Sequence, residues 1–170
     1  MLTQPIFGST PESWRALLAL RQQWKSDGKI VVWTNGCFDL LHAGHVRSLQ
    51  AARAFGDFLI VGLNSDASVR ELKGPSRPIL PENERAELLV ALRFVDAVLI
   101  FGEKTPEAAL ARLQPDIHCK GADYAPPYGK PIPERALVEN YGGQVRFLPL
   151  LPGVSTTDIV ERIRQVPTLL

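Results

Sequence analysis

The sequence predicts an α/β protein with a doubly wound, parallel, five-stranded sheet and helices on both faces. Two observations lead to this fold class. Apolar runs such as Phe58–Leu63 lack polar alternation, which is typical of strands buried on both faces. These runs alternate along the chain with segments of helical character, the order that a parallel sheet requires. Because no repeat or linker interrupts the alternation, we expect one domain over residues 1–170.

The predicted elements follow in order from their end signals and apolar residues. Thr10 and Pro11 are typical of an N-cap and a first-turn proline, so a helix is expected at about 10–26, ended by Asp27-Gly28. The core is expected at about 29–165. Its predicted strands are Ile30–Thr34, Phe58–Leu63, Ala97–Ile100, Ile117–Cys119 and Gln144–Leu148. Its predicted helices are Gly44–Phe55, Pro81–Leu92, Pro106–Leu113, Ile132–Tyr141 and Thr156–Arg164.

Bulk properties exclude several classes of partner. The 170 residues carry a formal net charge of +1, so no strong field indicates nucleic acid or a membrane surface. No apolar run approaches the roughly 20 residues that span a bilayer. The first residues, Met1–Pro5, lack the pattern of a secretory signal. Cys37 and Cys119 are the only cysteines and have no metal-type spacing. We therefore expect a reduced, cytoplasmic protein with neither nucleic-acid nor membrane partners.

The most informative segment is TNGCFDLLHAGH, residues 34–45. It joins a buried strand to a helix N-terminus, whose free N–H groups and dipole favour a phosphate. His42 and His45 are three residues apart, so they share one face of the first helical turn. Gly44 lies between them and leaves the backbone open to a ligand. The segment predicts a phosphate site.

Three other segments contain candidate binding residues. Lys73 and Arg77 in the loop Lys73–Pro81 either hold a phosphate or belong to a solvated basic loop. A second loop, Ala122–Pro133, follows KGADY at residues 120–124, where an apolar strand changes to a charged turn. The hydroxyls of Ser155, Thr156 and Thr157 open the last helix, either as N-caps or as triphosphate ligands.

The segment around the two histidines resembles the HxGH signature of the nucleotidyltransferases. With VGLNSD, LKGPSRP, ENER, VDAVLIF, KGADY and VSTTDIV, residues 12–165 resemble the adenylyltransferase domain of the heptose-phosphate kinase/adenylyltransferase family. The resemblance implies a Rossmann-like fold and Mg²⁺ as cofactor. It implies adenylyl transfer from ATP to D-glycero-β-D-manno-heptose 1-phosphate, for lipopolysaccharide or surface-glycan biosynthesis. It also suggests a homodimer and, because no kinase domain precedes the motifs, a stand-alone form of the enzyme.

The resemblance also implies roles for individual residues. The implied catalytic residues are His42, His45 and Lys73. The implied sugar-phosphate ligands are Asp39, Lys73 and Arg77, with Asp39 also a candidate Mg²⁺ ligand, directly or through water. The implied nucleotide-binding residues are Thr34, Asn35, Gly36, Cys37, Phe38, His42, Gly44, His45, Lys120, Gly121, Asp123, Ser155, Thr156 and Thr157.

Two positions have a less direct relation to the family. Arg85 matches it through the ENER setting, but a structural ion pair explains the residue equally well. The related glycerol-3-phosphate cytidylyltransferases carry an arginine and Glu-Gly before the STT motif, where this chain has Leu150–Gly153. Residues 150–153 of this chain contain no arginine, so none of them can take the role that the arginine has in those cytidylyltransferases.

The expected chemistry needs little proton transfer, because the sugar phosphate is already an anionic nucleophile. It attacks the α-phosphorus of ATP in line, so catalysis rests on positioning and on stabilising negative charge. Three alternatives stay open. They are a cytidylyltransferase acting on a small phosphorylated polyol, a non-catalytic nucleotide-binding regulatory module, and a zinc site at Cys37, His42 and His45 that lacks a clear fourth ligand.

Overall fold

The computed structural model describes residues 5–166 and contains, within that range, a six-stranded parallel sheet. The strands are β1 (Ile6–Phe7), β2 (Val31–Gly36), β3 (Phe58–Asn64), β4 (Ala97–Phe101), β5 (Ile117–Gly121) and β6 (Gln144–Leu148). The sheet order is β1-β4-β3-β2-β5-β6, and every pairing is parallel. Residues 1–4 and 167–170, which the single-domain and signal-sequence predictions include, lie outside the described residues.

The predicted count of five strands is wrong. The additional strand, β1, pairs with β4 through only two residues, Ile6 opposite Val98 and Phe7 opposite Leu99. A strand of two residues is too short to show any periodicity in the sequence, and its pairing depends entirely on the neighbouring β4. The predicted fold class, a doubly wound Rossmann-like sheet, is confirmed.

Seven α-helices occur within residues 5–166, and none of them is long and apolar enough to cross a bilayer. They are α1 (Pro11–Ser26), α2 (Ala43–Arg53), α3 (Asp66–Lys73), α4 (Glu82–Val90), α5 (Glu107–Leu113), α6 (Arg135–Asn140) and α7 (Thr156–Gln165). The predicted helix over residues 132–141 is shorter than expected, because Pro133 and the residues before it do not continue the helix.

Helix α3 is the main element that the sequence interpretation missed. No element was predicted between the strand that ends at Leu63 and the loop that begins at Lys73, but Ser65 caps a helix there by accepting the N–H of Ser68 at 3.2 Å. Val69 is buried against the sheet and anchors the helix. Lys73, which was predicted as the first residue of a loop, is therefore the last residue of a helix.

Helices cover both faces of the sheet. On one face Leu17 and Trp24 of α1 join the buried core, and the Trp24 ring stacks on Phe58 at 4.2 Å. On the other face Leu49 of α2 and Leu89 of α4 pack against the same strands. The apolar strands are thus buried from both sides, as their lack of polar alternation predicts.

The chain reverses its direction of winding at β2. From β2 it continues to β3 and β4 on one side, and later to β5 and β6 on the other. The segments that follow β2 and β5 therefore leave the sheet in diverging directions. Such a point is where ligands bind in open parallel sheets, outside the carboxyl ends of the strands.

Candidate active site

The turn after β2 is shaped by backbone conformation and by one buried carboxylate. Phe38 and Leu40 have left-handed backbone conformations, with φ of 46° and 51°, so the chain turns sharply. Between them the Asp39 carboxylate accepts hydrogen bonds from Arg77 Nη1 at 2.9 Å and from the N–H groups of Ile79 and Leu80. Asp39 thus ties the residue 73–81 loop to this turn.

The contacts of Asp39 oppose its expected role as a metal ligand. Burial alone would raise the pKa of this carboxyl, but the bonds from Arg77 and the two N–H groups lower it below its usual value. Asp39 is 3% exposed, and both of its oxygens already have protein donors. Its oxygens therefore do not fit a site for Mg²⁺. The Arg77 guanidinium donates to Asp39, so the two residues together anchor the residue 73–81 loop to the turn after β2.

Metal clusters are absent from the part of the chain that the structure describes. Within residues 5–166 no three His, Cys, Asp or Glu side chains are grouped so that they could hold a metal ion. This includes the trio of Cys37, His42 and His45. The structure therefore offers no support for the zinc alternative.

The two histidines form a stacked pair at the start of α2. His42 caps the helix, since its Nδ1 accepts the N–H of His45 at 3.4 Å. The two rings lie 3.8 Å apart and nearly parallel, and the Phe38 ring packs against His45 on its other side. Because Nδ1 of His42 is an acceptor, a neutral ring carries its proton on Nε2. His42 can therefore donate that proton in a hydrogen bond.

The imidazoles are held neutral. Burial, together with the nearby His42 and Lys73, lowers the pKa of His45 to about 4. Burial also lowers the pKa of His42. Among the described residues, His45 Nδ1 is buried without a hydrogen-bond partner. This nitrogen can therefore form a hydrogen bond with a bound ligand.

Gly44 is required by the close approach of His42. A Cβ atom at residue 44 would lie 2.9 Å from His42 Cε1, closer than such atoms approach in proteins. Any side chain there would push the His42 ring out of its stack with His45. The glycine of the HxGH motif thus leaves the space that the His42 ring needs in order to stack on His45.

A first cavity, of about 440 Å³, opens beside this pair, and we call it the histidine cavity. Ser155 caps α7 by accepting the Asp158 N–H at 3.1 Å, and the Thr156 hydroxyl donates to the Asp39 carbonyl at 2.6 Å. The N-termini of α2 and α7 therefore face the same space, which suits an extended anion. The cavity is lined by His42, Gly44, His45, Ser48, Lys73, Asp123, Leu150, Leu151, Val154, Ser155, Thr156 and Thr157.

A second cavity, of about 490 Å³, lies at the ends of β2 and β5, and we call it the lysine cavity. Three lysines line it, Lys73, Lys104 and Lys120, and Lys73 lines the histidine cavity as well. A cavity with three ammonium groups suits an anion. Its wall includes the predicted residues Thr34, Asn35, Gly36, Cys37, Lys120 and Gly121, together with Tyr124 and Glu134.

The structure thus divides the predicted nucleotide-binding residues between two cavities. His42, His45 and the hydroxyl residues belong to the histidine cavity, and the β2 and β5 residues to the lysine cavity. Phe38 lines neither, but it supports the His45 ring. Arg85 also lines neither. It is fully buried and pairs with Asp66 at 2.8 Å, which supports the structural ion pair over a binding role.

Sequence reasoning missed Lys104 and Glu134. Lys104 follows β4, so its position at the carboxyl edge of a strand was a usable signal. Glu134 gave no signal, because its segment was interpreted as the body of a helix. In the structure it is buried, and its Oε1 accepts bonds from His118 Nε2 at 3.0 Å and Lys120 Nζ at 2.8 Å.

Known proteins resemble this chain along most of its length. The family model described as cytidylyltransferase-like matches residues 33–162. The bifunctional protein HldE of Syntrophotalea carbinolica is 56% identical over 136 residues, which is 80% of this chain and 27% of that protein. The bifunctional protein HldE of Geotalea uraniireducens is 53% identical over 149 residues, which is 88% of this chain and 30% of that protein.

A solved structure agrees with these matches. The lipopolysaccharide core biosynthesis protein of Thermoplasma volcanium superposes with a TM-score of 0.59 at 28% identity, covering 73% of this chain and 98% of that one. The resemblance predicted from the motifs is confirmed. The chain spans less than a third of the length of the two HldE relatives it matches.

Proposed function

The chain belongs to the cytidylyltransferase-like family of nucleotidyltransferases, and we propose that it transfers the adenylyl group of ATP to D-glycero-β-D-manno-heptose 1-phosphate. The products would be ADP-heptose and pyrophosphate, for lipopolysaccharide or surface-glycan synthesis. The similarity to HldE proteins at 53–56% identity supports the choice of ATP and a heptose phosphate. One structural observation carries the mechanism: Lys73 lines two adjoining cavities, one with the stacked histidines and one with two further lysines.

The two cavities suggest a division between the substrates. The histidine cavity offers two helix N-termini and neutral imidazoles, which suit the triphosphate of ATP. The lysine cavity offers ammonium groups for the phosphate of the sugar. Lys73 lines both cavities. We propose that the attacking oxygen meets the α-phosphorus beside it, because an in-line attack needs both substrates held next to each other.

The transferred group gains negative charge as the new bond forms. We propose that His42 and His45 donate hydrogen bonds to the α-phosphoryl oxygens, where preorganised donors lower the barrier most. No general base is needed, because the sugar phosphate is already ionised. Asp39 and Arg77 act here by holding the turn and loop. We propose that Mg²⁺ is bound by the triphosphate oxygens of ATP, since the Asp39 oxygens are already occupied.

The proposed reaction also implies a cellular location. Because ATP is supplied inside the cell, we place the reaction in the cytoplasm.

We also propose that the protein is a homodimer, as the family resemblance suggests. Ile163 and Val166 of the α7 region offer an exposed apolar surface for a second copy. Light scattering after size exclusion would distinguish a dimer from a monomer.

The first prediction concerns nucleotide choice. We expect ATP to be preferred over CTP and GTP, because the KGADY and VSTTDIV segments match the adenylyl-transferring family. Pyrophosphate release, measured with each nucleotide and a fixed sugar 1-phosphate, tests this. A preference for CTP would instead support a cytidylyltransferase acting on a phosphorylated polyol, and binding of nucleotide without turnover would support a regulatory module.

The second prediction concerns Lys73. Lys73→Ala is expected to raise the KM for the sugar phosphate about tenfold or more, since a hydrogen bond to a charged group contributes roughly 1.5–3 kcal/mol. The KM for ATP should change less. The matched control is Arg70→Ala, which removes an exposed cation from the same helix but lines neither cavity. If ATP affinity collapses in calorimetry while the sugar-phosphate KM is unchanged, Lys73 belongs to the nucleotide side.

A further inference from the structure

Glu134 is a buried carboxylate in the wall of the lysine cavity. Its side chain is 1% exposed, and one oxygen, Oε1, accepts bonds from His118 Nε2 and Lys120 Nζ. An ionised carboxylate in the protein interior costs several kcal/mol unless it is paired and hydrogen-bonded. The fold therefore tolerates Glu134 only because of these two partners.

Lys120 is held on two sides. Its ammonium lies 2.8 Å from Glu134 Oε1 and 4.8 Å from the centroid of the Tyr124 ring. Both contacts restrict a side chain that otherwise has many rotamers. An ammonium has three N–H donors, and Glu134 takes one of them. The other donors remain for an anion in the cavity that Lys120 lines.

In the cluster of Glu134, His118 and Lys120, the glutamate carries the negative charge and the lysine the positive charge. His118 and Lys120 are two residues apart on β5, so both side chains reach Glu134 from the same face of the strand. Burial alone would raise the pKa of Glu134, but the bonds from His118 and Lys120 lower it to about 2. Burial lowers the pKa of His118, which leaves it a neutral donor. Lys120 is then the cationic partner of the carboxylate.

An alternative explanation is that the cluster only stabilises the fold. Apolar residues of similar volume often stabilise a protein as well as a buried ion pair does. Both residues belong to the cavity wall, but Lys120 is 12% exposed and Glu134 only 1%, so the ammonium is the group that a substrate can reach, as a positioning role requires. His118, which is fully buried, has no access to the cavity.

We propose that Glu134 is a positioning residue that holds the Lys120 ammonium against the phosphate of the sugar 1-phosphate in the lysine cavity. This inference rests on the proposed function and refines it, because it assigns Lys120 to the acceptor and not to the nucleotide. Glu134 acts through Lys120 and does not itself touch the substrate.

A double-mutant cycle tests this role. Glu134→Gln and Lys120→Ala should each raise the KM for the sugar 1-phosphate at least tenfold, while the KM for ATP stays within about twofold. The double variant should be no worse than Lys120→Ala alone, because Glu134 has no function without the lysine. The matched control is Glu139→Gln, which breaks an exposed carboxylate pair with Arg135 on the helix that follows Glu134, lines neither cavity and should leave both KM values unchanged.

Glu134→Asp provides a second variant if Glu134→Gln fails to fold. It keeps the charge but shortens the reach to Lys120, so the sugar-phosphate KM should again rise while the KM for ATP stays within about twofold. An unchanged sugar-phosphate KM in either Glu134 variant, or effects of Glu134 and Lys120 that multiply, would overturn the positioning role. A wild-type protein that turns over no sugar 1-phosphate would overturn the proposed function itself, so the two failures are distinct.

Discussion

Replacing His45 with alanine is expected to lower kcat by roughly 10²–10³-fold, the usual cost of losing one preorganised donor to a developing oxyanion. His42→Ala should have a comparable effect on kcat. Folding should change little, within about 1 kcal/mol, since neither ring is among the fully buried side chains that fill the core. Steady-state kinetics and thermal melts of the two variants test both parts.

His42 needs one further control, because it also caps α2. His42→Ala removes the acceptor for the His45 N–H, and a lost cap costs about 1 kcal/mol. Asparagine is a good N-cap residue but lacks the imidazole N–H, so His42→Asn should restore the melting temperature without restoring kcat. Variants that melt like wild type and keep most of their kcat would show that the histidines are not catalytic.

Replacing Arg85 with methionine is expected to destabilise the protein by about 3–5 kcal/mol, as removal of one partner from a buried ion pair does. The Arg85 guanidinium bonds to Asp66 Oδ1 at 2.8 Å, to the Leu80 carbonyl at 3.0 Å and to the Cys37 carbonyl. It therefore joins the turn after β2, the start of α3 and the segment before α4. Chemical denaturation at equilibrium measures the loss.

The control for Arg85 is Arg93→Met, which makes the same exchange at an exposed position shortly after α4. That variant should change the free energy of unfolding by less than about 0.5 kcal/mol, as most surface substitutions do. If Arg85→Met unfolds with a free energy within 1 kcal/mol of wild type, the buried arginine does not hold these segments together.

The sequence predicts the sheet well because its central strands are buried on both faces. Strands such as β3 are continuous apolar runs, and that pattern is visible without any structure. The edge strand β1 is different, because two residues carry no pattern and their pairing depends on β4. Helix α3 was missed for a related reason. It has only eight residues and buries only Ser68 and Val69, so few apolar side chains indicate it in the sequence.

The candidate site is predictable where the chain is locally regular. The HxGH segment follows a strand and opens a helix, so the position of the two histidines follows from spacing alone. The contact between Asp39 and Arg77 joins residues 38 positions apart, and the bond between Lys120 and Glu134 spans 14 positions. Such contacts depend on how loops fold back over the sheet edge, which no local pattern encodes. For this reason the sequence interpretation misjudged the environment of Asp39 and overlooked Glu134.

The most direct test of adenylyl transfer follows the phosphorus atoms of ATP. The purified chain is incubated with Mg²⁺, D-glycero-β-D-manno-heptose 1-phosphate and ATP labelled at either the α- or the γ-phosphate. The proposed reaction predicts that α-label appears in ADP-heptose and γ-label in pyrophosphate, because the bond between the α- and β-phosphates is the one that breaks. Transfer of γ-label to the sugar, or no turnover of ATP with this sugar phosphate, would contradict the proposed function.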